Sequence, residues 1–538
     1  MIERTPAERA ALGAVAEIAA VAVVAAAVAL AMGLQLAPAS AQSLLAGAAP
    51  SPSPGSAPQE IRLLCATGPC RVGESSPAPE RGGEIVVENL DSLGTVTPYL
   101  AREGWPDLRS DRAILASILR EGMSPEAQAL AIWNFVRAWR FGCTPFSQES
   151  QLLHDPVKLV NVFGCGLCDD SNSAVASLAR LAGMPARIWG LGGHVVAEIA
   201  WDDTWHLLDA ADGVYFRDKG QAIVGVETLA AHPELIASAT NRALRQDAVV
   251  RTAELIDRGA GPTPGGRQSV AARQFTTVFR HFLEQRGKPS SAPLGGFESD
   301  LFDGVLSARY AALVTSTADN SVSDWWELSA SGHEMALPLH PHDRVTYALR
   351  PASERPMSCY LNAERCLTAS GTLERAALAP LAELDPGGDR AIVTERLPYV
   401  VEALSLDGRA MPPEAVLEVF VAEDGETFRP LGTLSARAIP GAPPAAEAPD
   451  LARSRLDLDL LPPGSQVEPR FGYRLKFVRR GHATTDLLRG VLLISRFKVA
   501  AKTLPWPEPG EAAVLVRTEW SEVPTPTTGL EVRFRRLD

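Results

Sequence analysis

No run of lysines and arginines interrupts this chain, and 51 basic side chains stand against 64 acidic ones, a net charge of −13. Nucleic acid holds its partners largely through phosphate contacts to such runs, so a general nucleic-acid binder is excluded. No internal repeat is visible, which argues against a repeat array. C-x-x-C occurs once, at Cys165–Cys168, so the second half of a C-x-x-C zinc site is missing. Apolar residues reach 46%, but much of that figure is alanine, which buries little surface. At 538 residues the chain exceeds what one core supports, and three or four domains are expected.

What is present begins with the N-terminus. Arg4 and Arg9 lie in a short polar start, offset by Glu3 and Glu8, and an Ala/Val-rich stretch runs from Ile18 to Leu34. Ala39-Ser40-Ala41-Gln42 follows, a small-residue cleavage pattern, so residues 1–41 read as a signal peptide. The alternative is an uncleaved anchor, and only then is there membrane contact. Either reading places the bulk of the protein outside the cytoplasm, secreted or periplasmic. The seven cysteines agree. Proximity pairs Cys65 with Cys70, Cys143 with Cys165 and Cys359 with Cys366, which leaves Cys168 as a single free thiol.

Composition and patterning divide the rest. Residues 42–82 are Ala/Ser/Pro-rich and read as a tether. The ordered domain is expected over 83–220, opening on a strand at Glu84–Glu88. A helix follows at Asp111–Arg120, and a second begins at Pro125 with Ser124 as its cap. A third starts near Cys168 and ends at Gly183, ahead of Pro185. Val160–Phe163 is only a weak strand. Residues 221–324 read as a helical bridge, 325–395 as a small β-rich segment and 396–538 as a β-sandwich accessory domain. The last rests on alternating runs such as Val416–Val421, Tyr473–Val478, Val491–Phe497, Val514–Trp520 and Leu530–Phe534.

The stretch Gly164-Cys165-Gly166-Leu167-Cys168-Asp169-Asp170-Ser171-Asn172 carries the chemistry. A cysteine at a helix start meets unpaired backbone N–H groups and the positive end of the dipole, a setting that favours the reactive thiolate. Asp169 and Asp170 oppose that effect, and a nearby imidazolium would outweigh them. The partner follows from a turn. If Trp201-Asp202-Asp203-Thr204 is a two-residue hairpin, His194 lies opposite Ala211 and Asp209 opposite Val196. His194 and Asp209 then share one face, diagonally related and roughly 7–8 Å apart at the backbone. Trp205 and Leu207 precede Asp209 on that face, so its carboxylate points inward and needs a partner, which His194 supplies. Glu198 is on the same face near the turn, where it is expected to reach water. His206 is on the opposite face.

At these residues the sequence resembles the transglutaminase-like superfamily, with its papain-type Cys-His-Asp order. The matching pieces are Gly166–Asp170, Leu181-Ala182-Gly183-Met184-Pro185-Ala186-Arg187, Gly193–Glu198 and Thr204–Asp209. The resemblance covers about residues 83–220. It implies an α+β, cysteine-protease-like core with Cys168 as nucleophile, His194 as general base and Asp209 as orienter. It further implies a protein or peptide substrate whose amide is cleaved through a thioester, by a peptidase, an amidase or a transglutaminase, with no cofactor and no metal. Val195 and Val196 depart from the aromatic that many members carry after the histidine. No side-chain oxyanion donor is assigned. Trp139 and Gln151 are the positional candidates.

Other readings stand beside this one. The C-x-x-C pair fits a redox motif, or half a zinc site completed by His154 or His194. The chain could also be a non-catalytic cell-surface binding protein that retains the fold. Its sandwich would then touch the cell envelope or a carbohydrate, with Trp325-Trp326 as a stacking platform and buried core tryptophans as the ordinary alternative. His333, His340 and His342 read as solvated histidines of a loop rather than as a metal cluster.

Overall fold

The computed structural model describes residues 60–72, 82–142, 154–237, 321–323, 332–351, 367–435, 452–479 and 487–536, apart from shorter gaps within these ranges. The expected signal peptide, Cys143, Cys359, Cys366, the Cys165 side chain, Gln151, Trp325-Trp326 and most of the expected helical bridge lie outside the described residues. Among the described residues no helix is long and apolar enough to cross a membrane.

Antiparallel strands dominate the C-terminal region. An eight-stranded sheet runs in the order Glu60–Cys65, Leu530–Arg536, Gly83–Asn89, Arg344–Pro351, Leu367–Arg375, Leu492–Val499, Val401–Asp407 and Arg455–Asp459. A six-stranded sheet runs Ala382–Leu384, Arg390–Arg396, Gly472–Val478, Val416–Ala422, Arg429–Ser435 and Ala452–Arg453. Both supply one apolar core: Ile85, Val345, Leu373 and Phe497 from the first, Val393, Val419, Leu475 and Phe477 from the second. The period-two rule explains why. In Arg390–Arg396, Ala391, Val393 and Glu395 are buried while Arg390, Thr394 and Arg396 are exposed. Glu395 thus enters the core as a charge, and Arg375 meets it with Nε and Nη2 at 2.6 and 2.9 Å. The same guanidinium pairs with buried Asp343.

Strands distant in sequence complete the eight-stranded sheet and form a further three-stranded one, Cys70–Val72, Val514–Trp520 and Val96–Arg102. Within the stretch read as a tether, Glu60–Cys65 pairs with Leu530–Arg536, and Cys70–Val72 with Val514–Trp520. A Cys65–Cys70 disulfide links Glu60–Cys65 to Cys70–Val72. A disulfide persists in an oxidising compartment, which fits an extracytoplasmic protein. Gly83–Asn89, expected to open the Cys168 domain, lies instead between Leu530–Arg536 and Arg344–Pro351.

The second core is α+β. Helices Asp111–Ile118, Pro125–Trp139 and Cys168–Leu181 pack against a four-stranded sheet ordered Ser321–Ser323, Ala186–Leu191, His194–Trp201 and Thr204–Leu207. The helix starts are capped as their sequences dictate. Ser110 Oγ accepts from Ala113 N at 3.1 Å, and Ser124 Oγ from Ala127 N at 3.2 Å. Gly183 ends the Cys168 helix with φ 85°, the left-handed region that glycine enters most easily. Strand Ala186–Leu191 was not expected. Ala186, Ile188, Trp189 and Leu191 are all buried, so the run lacks the alternation that marks a half-exposed strand.

Candidate active site

Leu159–Phe163 is a π-helical turn rather than a strand. Asn161 holds it from inside, its Nδ2 donating to Leu108 O and Val157 O, both at 2.9 Å. Gly164 then reverses the chain with φ 69°. Cys165–Gly166 pairs in parallel with Phe141–Gly142, and the helix begins at Cys168. Gly166 is required by proximity, because a Cβ there would lie 2.7 Å from the Asp170 carboxylate. Among the described residues Cys168 carries the free thiol, half-buried at the first helical position.

The two acidic neighbours share a partner. His154 Nε2 lies 3.8 Å from Asp170 Oδ1 and 3.9 Å from Asp169 Oδ2. Burial acts to push the Asp169 carboxyl up, but the His154 imidazole outweighs it and holds the group below its usual range. Among the described residues these three side chains alone place three ligand atoms together, within 4.8 Å, and could share a cation. An imidazole set between two carboxylates is equally a cluster that its own side chains complete.

The hairpin has the expected register. Trp201 pairs with Thr204, Ala200 with Trp205, Ile199 with His206 and Glu198 with Leu207. Asp202 and Asp203 have φ of 49° and 59°, the two left-handed residues of a type I′ turn. Leu208 N extends the pairing by donating to Ala197 O at 3.0 Å. The register turns Asp209 toward His194, and Asp209 Oδ2 lies 2.8 Å from His194 Nε2. Both residues are buried. The other carboxylate oxygen accepts from Ala211 N at 2.8 Å and from Asn172 Nδ2 at 3.1 Å. His206 faces away. It stacks on Trp201 with ring centroids 3.4 Å apart, and its Nδ1 donates to Ile223 O at 2.5 Å.

Two residues differ from the sequence reading. Glu198 does not reach water: it is fully buried and accepts from Arg187 Nε at 2.6 Å, from Val226 N at 2.7 Å and from Trp189 Nε1. The bond from Val226 N ties it to the first residue of the helix Val226–Ala231. Asn172, given no role by the sequence reading, lies in the helix Cys168–Leu181 and contacts both Cys168 O and Asp209. Its position one helical turn after Cys168 was the available signal. Of the two positional oxyanion candidates, Trp139 is buried edge-on to Trp105 with Lys502 5.1 Å from its ring.

A cavity of about 870 Å³ lies elsewhere, lined by His333, Arg396, Arg470, Phe471 and Tyr473, and Cys168, His194 and Asp209 do not line it. His333 there donates from Nε2 to Pro398 O at 2.9 Å, and His340 Nδ1 meets Thr95 Oγ1 at 3.2 Å.

Comparison with family models matches residues 112–210 to the transglutaminase-like superfamily. No curated protein and no solved structure matches the chain. The matched span holds the three helices but for Asp111, strands Ala186–Leu191, His194–Trp201 and Thr204–Leu207, and all of Cys168, His194 and Asp209. Residues 112–210 of this chain form a transglutaminase-like superfamily domain.

Proposed function

We propose that the chain is an exported, thiol-dependent acyl-transfer enzyme that acts on amide bonds of a protein or peptide. One observation carries the reading: a buried His194–Asp209 pair at 2.8 Å in a transglutaminase-like domain whose helix opens with the free thiol Cys168. Asp209 engages Nε2, so the ring nitrogen that exchanges protons with the thiol is Nδ1. His194 takes the Cys168 proton, and Sγ attacks the amide carbonyl carbon. The tetrahedral adduct collapses with loss of the amine, which leaves carrying the proton from His194. The resulting thioester is then attacked by water or by a second amine, whose proton His194 accepts. Hydrolysis is the default outcome, since water is abundant and no amine site is evident among the described residues. The disulfide and the sequence of residues 1–41 support export.

Iodoacetamide labelling of the intact chain, read by mass spectrometry of the Cys168 peptide, tests the reading without a known substrate. Labelling at mildly acidic pH that is much slower in His194→Ala supports it. Equal rates in wild type and His194→Ala would remove the base and the mechanism with it.

A further inference from the structure

We infer that Asn172 is a positioning residue that locks the Asp209 carboxylate toward His194 and ties both to the helix start bearing Cys168. The inference deepens the reading above and rests on it. Asn172 is fully buried, and every polar atom of its amide is engaged. Nδ2 lies 3.0 Å from Cys168 O, 2.8 Å from Val195 O and 3.1 Å from Asp209 Oδ1. Oδ1 accepts from Ala210 N at 2.9 Å. One amide therefore contacts the nucleophile's own carbonyl, the residue after the histidine, the aspartate and the residue after the aspartate.

The chemistry allows a single orientation of that amide. The side facing Cys168 O, Val195 O and Asp209 Oδ1 meets only acceptors, so it must be the NH2 group, and the opposite side meets a backbone N–H and must be the oxygen. Two hydrogens serve three acceptors, so at least one is shared. The consequence falls on Asp209. With Asn172 Nδ2 and Ala211 N both bound to Oδ1, rotation of the carboxylate breaks two hydrogen bonds, and Oδ2 stays aimed at Nε2 of His194. That fixes the imidazole edge presented to the thiol.

Aspartate at this position is the informative change, because it keeps the size and the acceptor for Ala210 N while replacing the donors with a second carboxylate oxygen. The test compares iodoacetamide labelling of Cys168 against pH in the full chain for wild type, Asn172→Asp, Asn172→Ala and His194→Ala. Folded fraction is followed by circular dichroism. The Asn172 variants should label about tenfold more slowly at the acidic end, what one mis-set buried hydrogen bond is worth. They should converge on wild type at alkaline pH, where a thiol ionises unaided. Asn172→Ser, whose shorter side chain cannot span these four partners, carries the same decision where Asn172→Asp does not fold. Variants that follow wild type at every pH while His194→Ala is slow would overturn the Asn172 role alone. So would a loss uniform across pH, the signature of a purely structural tie. If His194→Ala also follows wild type, the thiol–imidazole reading fails and this inference with it.

Discussion

Ala500, at the end of strand Leu492–Val499, closes over Gly164, four residues before Cys168. A Cβ at Gly164 would meet Ala500 Cβ at 3.0 Å, and Ala500 N donates to Asn161 O at 2.8 Å. Two residues on, Lys502 donates to Ala138 O at the end of the helix Pro125–Trp139. The strand-rich region therefore backs the turn that delivers the thiol, and the matched domain does not stand alone at this point.

Gly164→Ala should accordingly cost about 2 kcal/mol, from a left-handed non-glycine backbone together with the tight contact. Ala500→Gly removes the atom that the new methyl meets, so the double variant should recover about 0.5 kcal/mol or more of that loss. Urea unfolding of the four proteins of the cycle measures the coupling. Strict additivity would show that Ala500 does not press on the turn.

The parts legible in the sequence were those set by neighbours along the chain. Asp202-Asp203 determined the hairpin register, and parity then placed Asp209 toward His194 and His206 away. Ser110, Ser124 and Gly183 marked helix ends through local capping. What escaped depended on distant partners. Glu60–Cys65 is a strand because Leu530–Arg536 lies beside it, a pairing that nothing local encodes. Glu198 was placed near water because its own hairpin ends there, whereas the helix Val226–Ala231 returns to meet it through Val226 N. Asn172 was within reach of helical spacing, but four hydrogen bonds to three different segments are a property of the assembled fold.

Glu198→Gln should be strongly destabilising. The carboxylate is the buried counter-charge of Arg187, and removing one partner of such a pair costs about 3 kcal/mol. Adding Arg187→Met should restore much of that loss, since a neutral replacement of both ions is tolerated far better than half a pair. Chemical denaturation midpoints decide it. No recovery in the double variant would mean that the Trp189 and Val226 hydrogen bonds, not the ion pair, hold this end of the sheet.

Acid should weaken the strand-rich region through His333. Burial pushes its imidazole below the usual range, against the Pro398 carbonyl and Asp155, which favour the charged form. The unfolded chain then takes up a proton at higher pH than the folded one does. No cost exists well above about pH 6.5, and stability falls as pH drops through that value toward the lower folded one. His333→Gln keeps a donor for Pro398 O and should flatten the decline in urea midpoint between about pH 7.5 and 5.5. His340, pushed in the same direction by burial and by Arg375, adds to the decline, whereas the Asp343 carboxyl, pushed up to about 6 by burial, takes up its proton first in the folded state and opposes it. An unchanged slope in His333→Gln would assign the decline to other groups.

His194 and His206 lie on opposite faces of the sheet, and their variants should part accordingly. Cys168→Ala should abolish acyl transfer with little change in stability, since a small side chain is lost from a half-buried position. His194→Ala should slow Cys168 labelling at mildly acidic pH by about 100-fold, the lower range for loss of a general base. Asp209→Asn should be slower than wild type but less affected than His194→Ala, because the imidazole remains while its orientation is weakened. Combining Asp209→Asn with His194→Ala should add almost nothing further, as residues that act as one unit give non-additive losses. His206→Ala removes a ring stacked on Trp201 and bonded to Ile223 O, so it should lower stability. Labelling per folded molecule should nevertheless stay within about twofold of wild type, the scatter of a change outside the reacting unit. If His206→Ala suppresses acidic labelling while His194→Ala leaves it intact, the thiol is served from the opposite face of the sheet, and the 2.8 Å contact between His194 and Asp209 is only structural.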